Sequence, residues 1–134
     1  MCPVCGSDRG VEHDDLSHCS ACDHVFQTSL TAHARYGADY LETYRSYPTH
    51  AMACVRLGYL KAHVGGGTLL DVGHGTGDLV RLARQAGFDA YGSDVHGVDV
   101  GVPEKPLDGD DDWDVVTFYD SPEQFEDFGP VRRL

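Results

Sequence analysis

Basic residues are scarce in this chain of 134 residues. Ten lysines and arginines stand against 22 aspartates and glutamates, so the formal net charge is −12. Proteins that follow a nucleic-acid backbone need clustered lysine and arginine to neutralise phosphates, which makes a nucleic-acid partner a poor match. The acidic run between Asp108 and Asp114 is best interpreted as a solvated loop, because its spacing does not fit an EF-hand calcium loop.

Long apolar runs are also missing. No stretch approaches the ~20 apolar residues of a membrane helix, and the start Met-Cys-Pro lacks the charged and apolar regions of a signal peptide. We therefore expect a cytoplasmic protein without a membrane partner. In that compartment five cysteines favour metal binding over disulfides.

Four of the cysteines form two C-x-x-C pairs, Cys2 with Cys5 and Cys19 with Cys22, separated by thirteen residues. Each pair offers two thiolates from one tight turn, and together they can complete a tetrahedron around Zn²⁺. Four thiolates leave no open coordination position, so the zinc would be structural. Residues 1–27 hold too few apolar side chains to fold by packing alone, so this metal would supply the folding free energy.

Other residues near these pairs have simpler interpretations. His18 and His24 flank the second pair and could replace a thiolate, but four cysteines make that unnecessary. Val25 and Phe26 predict a short strand that docks on the next unit.

The fifth cysteine, Cys54, lies among apolar neighbours and is expected to be a buried small hydrophobe.

Residues 28–66 are predicted to form a helical segment. Tyr36, Tyr40 and Tyr44 share one helical face, which either packs or covers a bound cofactor. Pro48 then interrupts, and a second helix is expected from Thr49 to His63. Its candidate core residues are Met52, Val55, Leu57, Tyr59 and Leu60.

The central motif lies at residues 69–77. An apolar strand, Thr68–Val72, stops at three glycines spaced two apart, Gly73, Gly75 and Gly77, and a helix follows at about 77–86. A strand that breaks into a glycine turn and a helix is typical of α/β proteins that bring their backbone against a nucleotide-like ligand. Glycine permits φ > 0 there and lets a ligand approach the main chain.

Strands and helices continue to alternate from residue 67 to 134. Further strands are predicted at 88–93, 98–102 and 113–119, with a helical turn or two at 122–128. This order implies an α/β fold with a Rossmann-like parallel sheet, preceded by the cysteine module and the helical linker. Asp94 ends the strand at 88–93, where a carboxylate can accept hydrogen bonds from a ribose diol; a turn cap is the alternative.

The G-x-G-x-G spacing after Asp71 resembles motif I of class I S-adenosylmethionine-dependent methyltransferases. Tyr-Gly-Ser-Asp94 resembles the end of that family's second strand, and Asp114-Val-Val-Thr-Phe-Tyr resembles its fourth. The cysteine module with a tyrosine-rich helix is similar to a zinc-ribbon-bearing subgroup. The resemblance covers nearly the whole chain and is specific at residues 71–77 and at the four cysteines.

The resemblance implies a role for each matching residue. The methionyl end of S-adenosylmethionine would be held by Asp71 and the backbone at the three glycines, and the ribose by Asp94. His96 would lie beside the adenosine, and Tyr119 and Asp120 would line the sulfonium side. His74 would either face the cofactor or point to solvent. The implied activity is methyl transfer to a small-molecule acceptor, by this chain or with this chain as the cofactor-binding part.

Several departures keep other functions open. The family core has seven strands, whereas only four are predicted here. In addition, Gln124 stands where many relatives have histidine. A non-catalytic acidic interaction protein on a degenerate methyltransferase fold is the main alternative. A nicotinamide-dependent oxidoreductase ranks last, because the third glycine comes one position too early. A homo-oligomer or another partner could cover the open edge of the sheet.

Overall fold

A computed structural model describes residues 1–14, 16–27, 38–121 and Gly129. It divides the chain into two compact units, with residues 1–27 in one and residues 38–121 in the other. The helical segment therefore shares its unit with the sheet that follows it. In the described part of the chain, no helix combines the length and the apolar character needed to cross a membrane.

The N-terminal unit contains a three-stranded antiparallel sheet. Its strands are β1 (Gly10–His13), β2 (Leu16–Cys19) and β3 (Val25–Gln27), in the order β1-β2-β3. β1 pairs Gly10 with Cys19, and β3 pairs Val25 with His18. The strand predicted at Val25 and Phe26 is thus present, and it completes the sheet of its own unit.

Two helices open the second unit, α1 (Ala38–Tyr44) and α2 (Thr49–His63). α2 has the predicted bounds, because Pro48 fixes its start and Val64 adopts an extended conformation at its end. The rings of Tyr40 and Tyr44 stack with centroids 5.9 Å apart. Tyr36 and the predicted helical residues 31–37 lie outside the described residues.

The buried face of α2 differs from the prediction. Ala53 and Leu60 are buried and Leu57 is partly buried, which follows the helical spacing i, i+4, i+7. Val55 is 75% exposed and Tyr59 62% exposed, and Met52 is also exposed, so assigning these three to the core was wrong. Cys54, expected to be buried, is exposed as well. Ala53 belongs to the core cluster that also contains Val80 and Ala83 of α3.

The second sheet is parallel and has the order β5-β4-β6. Its elements are β4 (Thr68–Val72), α3 (Asp78–Gln85), β5 (Asp89–Ser93) and β6 (Val115–Phe118). Leu69 and Leu70 on β4 are both completely buried, as expected of a central strand covered on both faces. The described residues are therefore mixed α/β with a small parallel sheet and three helices, as the fold prediction required at this level.

The core of this unit joins the sheet to both longer helices. Leu69 on β4 and Ala90 on β5 pack with Val80 and Ala83 of α3 and with Leu60 of α2. α3 ends close to the predicted position, since Gly87 has φ +96° directly after the C-cap residue Ala86. This packing holds the glycine loop between β4 and α3 at both ends.

The strand predicted at Val98–Val102 is absent, and this prediction was wrong. Gly97 and Gly101 both have positive φ, which breaks an extended conformation at each end. Pairing with β5 occurs further along, where Gly92 N donates to Pro103 O and Lys105 N donates to Gly92 O, both at 2.9 Å. The helical turns predicted at 122–128, with Gln124, lie outside the described residues.

Candidate functional site

The four predicted metal ligands Cys2, Cys5, Cys19 and Cys22 meet in the N-terminal unit. Their sulfur atoms all lie within 4.8 Å of one another. Sγ of Cys2 is 3.8 Å from Sγ of Cys22, and Sγ of Cys5 is 3.6 Å from Sγ of Cys19. Tetrahedral Zn–S bonds of about 2.3 Å require sulfur separations of about 3.8 Å. The cluster can therefore bind a metal ion such as zinc with little rearrangement.

The two cysteine pairs adopt the same backbone turn. Cys2 N donates to Ser7 O and Gly6 N donates to Cys2 O, at 2.8 and 2.9 Å. In the second pair Cys19 N donates to His24 O and Asp23 N donates to Cys19 O, both at 2.8 Å.

Positive φ closes each of these turns, 71° at Gly6 and 59° at Asp23. Glycine takes this conformation freely, and aspartate is among the residues that tolerate it best. The turns aim two sulfur atoms each at a common centre, which the sequence spacing alone does not show.

The thiols differ in acidity. Burial raises the pKa of Cys2, but hydrogen bonds from the backbone of Cys5 and Val4 and from neighbouring thiols lower it to about 7. At Cys22 a backbone hydrogen bond with His24 lowers the pKa, whereas desolvation and the neighbouring thiols raise it to about 12. Because adjacent thiolates repel each other, a cation is needed to ionise all four, and its binding releases protons.

The two flanking histidines are engaged elsewhere. Nε2 of His18 lies 3.2 Å from a carboxylate oxygen of Asp23, and the ring of His24 stacks on Phe26 at 5.9 Å. Neither belongs to the group of ligand atoms around the four sulfurs among the described residues.

In the second unit, the predicted cofactor residues converge at one edge of the parallel sheet. Val72 is level with Ser93 on β5 and with Phe118 on β6, so the segments after all three strands leave from the same edge. β5, which follows β4 in the sequence, pairs with one side of β4, and β6 pairs with the other side. Open α/β sheets bind ligands at such a reversal of strand order, beside the carboxyl end of the central strand. We call this position, formed by the segments that follow β4, β5 and β6, the crevice.

The glycine loop has the predicted backbone conformation, with φ of 77°, 54° and 74° at Gly73, Gly75 and Gly77. The N–H groups of these three glycines are all paired within the chain. Gly73 N donates to Ser93 O at 2.7 Å and Gly77 N donates to His74 O at 2.9 Å, and Gly75 N donates to Asp94 Oδ2 at 2.8 Å. A ligand that binds through these amides must first open a bond.

Side chains also fill the space beside two of these glycines. A Cβ on Gly77 would lie 2.8 Å from Cγ1 of Val102, and a Cβ on Gly73 would lie 2.5 Å from Cβ of Ser121. Internal packing therefore accounts for glycine at both positions, independently of any ligand.

Asp94 lies where the prediction put it, and it caps the turn. Its two oxygens accept from Gly75 N at 2.8 Å and from His96 N at 3.1 Å. Nδ1 of His96 accepts from Val98 N at 2.9 Å, and Nε2 lies 3.0 Å from Gly75 O. Asp94 thus performs the capping role, and each carboxylate oxygen keeps a lone pair for another donor.

His74 is buried, with 6% of its surface exposed, so the alternative that it points to solvent was wrong. Its Nε2 lies 2.8 Å from Glu104 Oε1. The ring packs directly on Gly92 of β5, where a Cβ would overlap it. The edge of the His74 ring also meets His96, with centroids 5.1 Å apart.

Asp71 is a buried carboxyl group at the end of β4. Burial raises its pKa to about 6, against the lowering effects of a hydrogen bond from Thr117 and the charge of Arg56. Thr117 Oγ1 donates to Asp71 Oδ1 at 2.7 Å. A titratable group of this kind beside a crevice is typical of functional sites.

Tyr119 and Asp120 leave the end of β6, and both meet Arg56 from α2. The Arg56 guanidinium lies over the Tyr119 ring at 4.3 Å and within 3.3 Å of Asp120 Oδ2. Burial raises the pKa of Tyr119, although the charge of Arg56 acts in the opposite direction. Asp120 has φ 56°, a conformation that few non-glycine residues adopt.

Sequence reasoning missed three residues of this site, namely Arg56, Glu104 and Thr117. Each reaches its partner across 30 or more positions, as from Glu104 to His74. No local sequence pattern identifies them. The one signal is that Thr117 precedes Tyr119 by two residues, which puts both on the same face of the strand.

No family model matches the chain, and comparisons with curated proteins and with solved structures also find no match. The resemblance to methyltransferases therefore depends on the sequence motifs alone.

Proposed function

We propose that residues 38–121 bind S-adenosylmethionine and form the cofactor-binding part of a methyltransferase that acts on a small-molecule acceptor. The observation that carries this proposal is the shared edge of the sheet. The glycine loop after β4 and Asp94 after β5 leave level strands, and Gly75 N is 2.8 Å from Asp94 Oδ2. A nucleoside with an amino-acid tail needs a carboxylate that binds its ribose hydroxyls, and close to it a backbone turn that binds its tail.

The charges of the crevice support a cationic ligand. S-adenosylmethionine carries a positive sulfonium and an ammonium group, which suit the carboxylates of Asp71, Asp94 and Asp120. The positive charge of Arg56 suits the ligand's own carboxylate. Methyl transfer is an in-line displacement, so the work of these residues is positioning.

The N-terminal unit carries a separate proposal, a structural zinc ion on the four cysteines. The two equivalent turns and the sulfur separations of 3.6 and 3.8 Å support it. Four thiolates close the coordination shell, so the ion would stabilise the small sheet and leave the chemistry to the second unit.

Calorimetry with S-adenosylmethionine and with its demethylated product tests the nucleoside proposal. We expect heat of binding with the wild type and a loss of at least tenfold in affinity for Asp94→Asn. Asp99→Asn is the matched control, because Asp99 also accepts a backbone N–H, from Gly101 at 2.8 Å, but at an exposed position. No heat with a folded wild type, or equal losses in both variants, would overturn the proposal.

One observation favours the alternative of a non-catalytic acidic interaction protein. All three glycine N–H groups are bonded inside the chain, and Val102 and Ser121 fill the space beside Gly77 and Gly73. A chain that takes up no nucleoside and binds a basic protein in a salt-dependent manner would have this function instead.

A further inference from the structure

The crevice holds a second group of potential metal ligands, formed by His74 of the glycine loop and by Asp94 and His96 after β5. One donor atom from each of these side chains lies within 4.8 Å of the other two. We propose that these three residues bind a divalent transition-metal ion of the zinc class. This site goes beyond nucleoside binding and is separate from the four-cysteine cluster.

His74 supplies the observation that points to a ligand. Its side chain is completely buried, and its Nδ1 has no hydrogen-bond partner, which holds for no other buried side-chain nitrogen or oxygen of the described residues. Leaving such an acceptor buried and unpaired has an energetic cost. A metal ion on Nδ1 removes this cost.

Glu104 prepares His74 for that role. The carboxylate accepts a hydrogen bond from Nε2 of His74 at 2.8 Å, which keeps the ring proton on Nε2 and leaves a lone pair on Nδ1. Histidines that ligate metals commonly donate their other N–H to a carboxylate in this way. Glu104 thus acts as a positioning residue that orients the ring and strengthens its donor atom.

Asp94 provides the anionic ligand. Its side chain is 11% exposed, and hydrogen bonds from Gly75 N and His96 N fix the carboxylate from two sides. Each carboxylate oxygen has room for a further contact beyond these bonds. Asp94 and Glu104 together bring two negative charges, which balance a divalent cation.

His96 changes its hydrogen bonds when the ion binds. Its Nδ1 now accepts from Val98 N at 2.9 Å, while Nε2 lies 3.0 Å from Gly75 O and 3.6 Å from Asp94 Oδ2. Coordination through Nε2 moves the ring proton to Nδ1 and exchanges these two hydrogen bonds for the metal bond. The donor atoms also draw together, since tetrahedral nitrogen and oxygen ligands of zinc lie about 3.3 Å apart.

The donor set selects the class of ion. Two imidazoles and one carboxylate suit Zn²⁺, Fe²⁺ or Co²⁺, whereas Mg²⁺ and Ca²⁺ prefer oxygen ligands throughout. Three protein ligands leave a coordination position open, unlike the four cysteines. A water molecule or a ligand atom can occupy that position.

The test counts metal ions on the full chain without nucleoside. After equilibration with Zn²⁺ and removal of unbound metal, we expect two zinc ions per wild-type chain and one in His74→Ala and Asp94→Asn. His63→Ala is the control and should keep two, because His63 lies on α2 and contacts Tyr59. With Co²⁺, the thiolate charge-transfer band should be the same in all variants.

Glu104→Gln keeps the proposal testable if the other variants misfold. The side chain of Glu104 is 46% exposed, so its substitution should not disturb the core. We expect it to weaken the second zinc about 10–100-fold without changing the first. One zinc per wild-type chain, or two in both His74→Ala and Asp94→Asn, would overturn the proposal. Since no nucleoside is present, failure of S-adenosylmethionine binding leaves this result unaffected.

Discussion

The guanidinium of Arg56 lies over the ring of Tyr119, with 4.3 Å between its central carbon and the ring centroid. The same guanidinium is 3.3 Å from Asp120 Oδ2, and its side chain is 21% exposed. One cation from α2 therefore joins the two residues that leave β6 at the crevice. It also lowers the pKa of Asp71 through its charge.

Replacing Arg56 by alanine should destabilise the second unit by about 1 kcal/mol, because a partly buried cation–π contact is lost. Arg45→Ala is the control: Arg45 pairs with Glu42 at 3.0 Å, but both side chains are mostly exposed, so its loss should cost little. Urea unfolding followed through the single tryptophan, Trp113, measures both. Equal stability of the two variants would contradict a structural role for Arg56.

Asp71 should make the stability of its unit depend on pH. Its pKa is about 6 in the folded chain against 3.8 as the ordinary value, so the penalty on folding grows as the pH rises from about 3.8 to about 6 and is complete above that range. Asp71→Asn should therefore stabilise the unit at pH 8, by roughly 3 kcal/mol at most. The gain should shrink as the pH falls through 6 and disappear near 4.

Thr117 provides the internal check on this prediction. Thr117→Val removes the hydrogen bond that lowers the pKa of Asp71, so the penalty on folding should become larger than in the wild type and reach its full size at a higher pH. Thr117→Ser keeps the hydroxyl and should behave as the wild type. A gain from Asp71→Asn that does not change with pH would show that Asp71 is not a buried ionisable group in solution.

Gly77 should resist substitution for two reasons, its positive φ and its close packing on Val102. Substitutions at two other glycines test these reasons separately. Gly77→Ala meets both positive φ and Val102 at 2.8 Å, Gly97→Ala meets positive φ alone, and Gly65→Ala meets neither. We expect losses of more than about 2, about 1 and near 0 kcal/mol respectively. Thermal unfolding gives the ranking. If Gly77→Ala is as stable as Gly97→Ala and loses only nucleoside binding, the glycine serves the ligand and the packing argument fails.

The metal state should control thiol reactivity. Of the five cysteines, Cys54 is exposed and is not one of the four cluster ligands, so the metal-loaded chain should show one thiol that reacts with a colorimetric thiol reagent. A strong chelator should raise the count to five and unfold the sheet of the first unit. Cys54→Ser should show none before chelation. Three or more reactive thiols in the zinc-loaded chain would exclude the four-cysteine site.

The sequence by itself determined the local elements of this protein. The bounds of α2, the strand β4 with its glycine turn and the two cysteine pairs are each encoded within a few adjacent residues. Proline geometry, glycine conformation and cysteine spacing act over that range, so these features could be predicted.

Tertiary structure decided the contacts between distant segments. The buried side of α2 depends on what packs against it, so Ala53 is inside and Val55 outside although both are apolar. The bond from His74 to Glu104 spans 30 positions and that from Arg56 to Asp120 spans 64. Such pairs form only when the sheet aligns its strand ends, since nothing in the neighbouring residues specifies the partner.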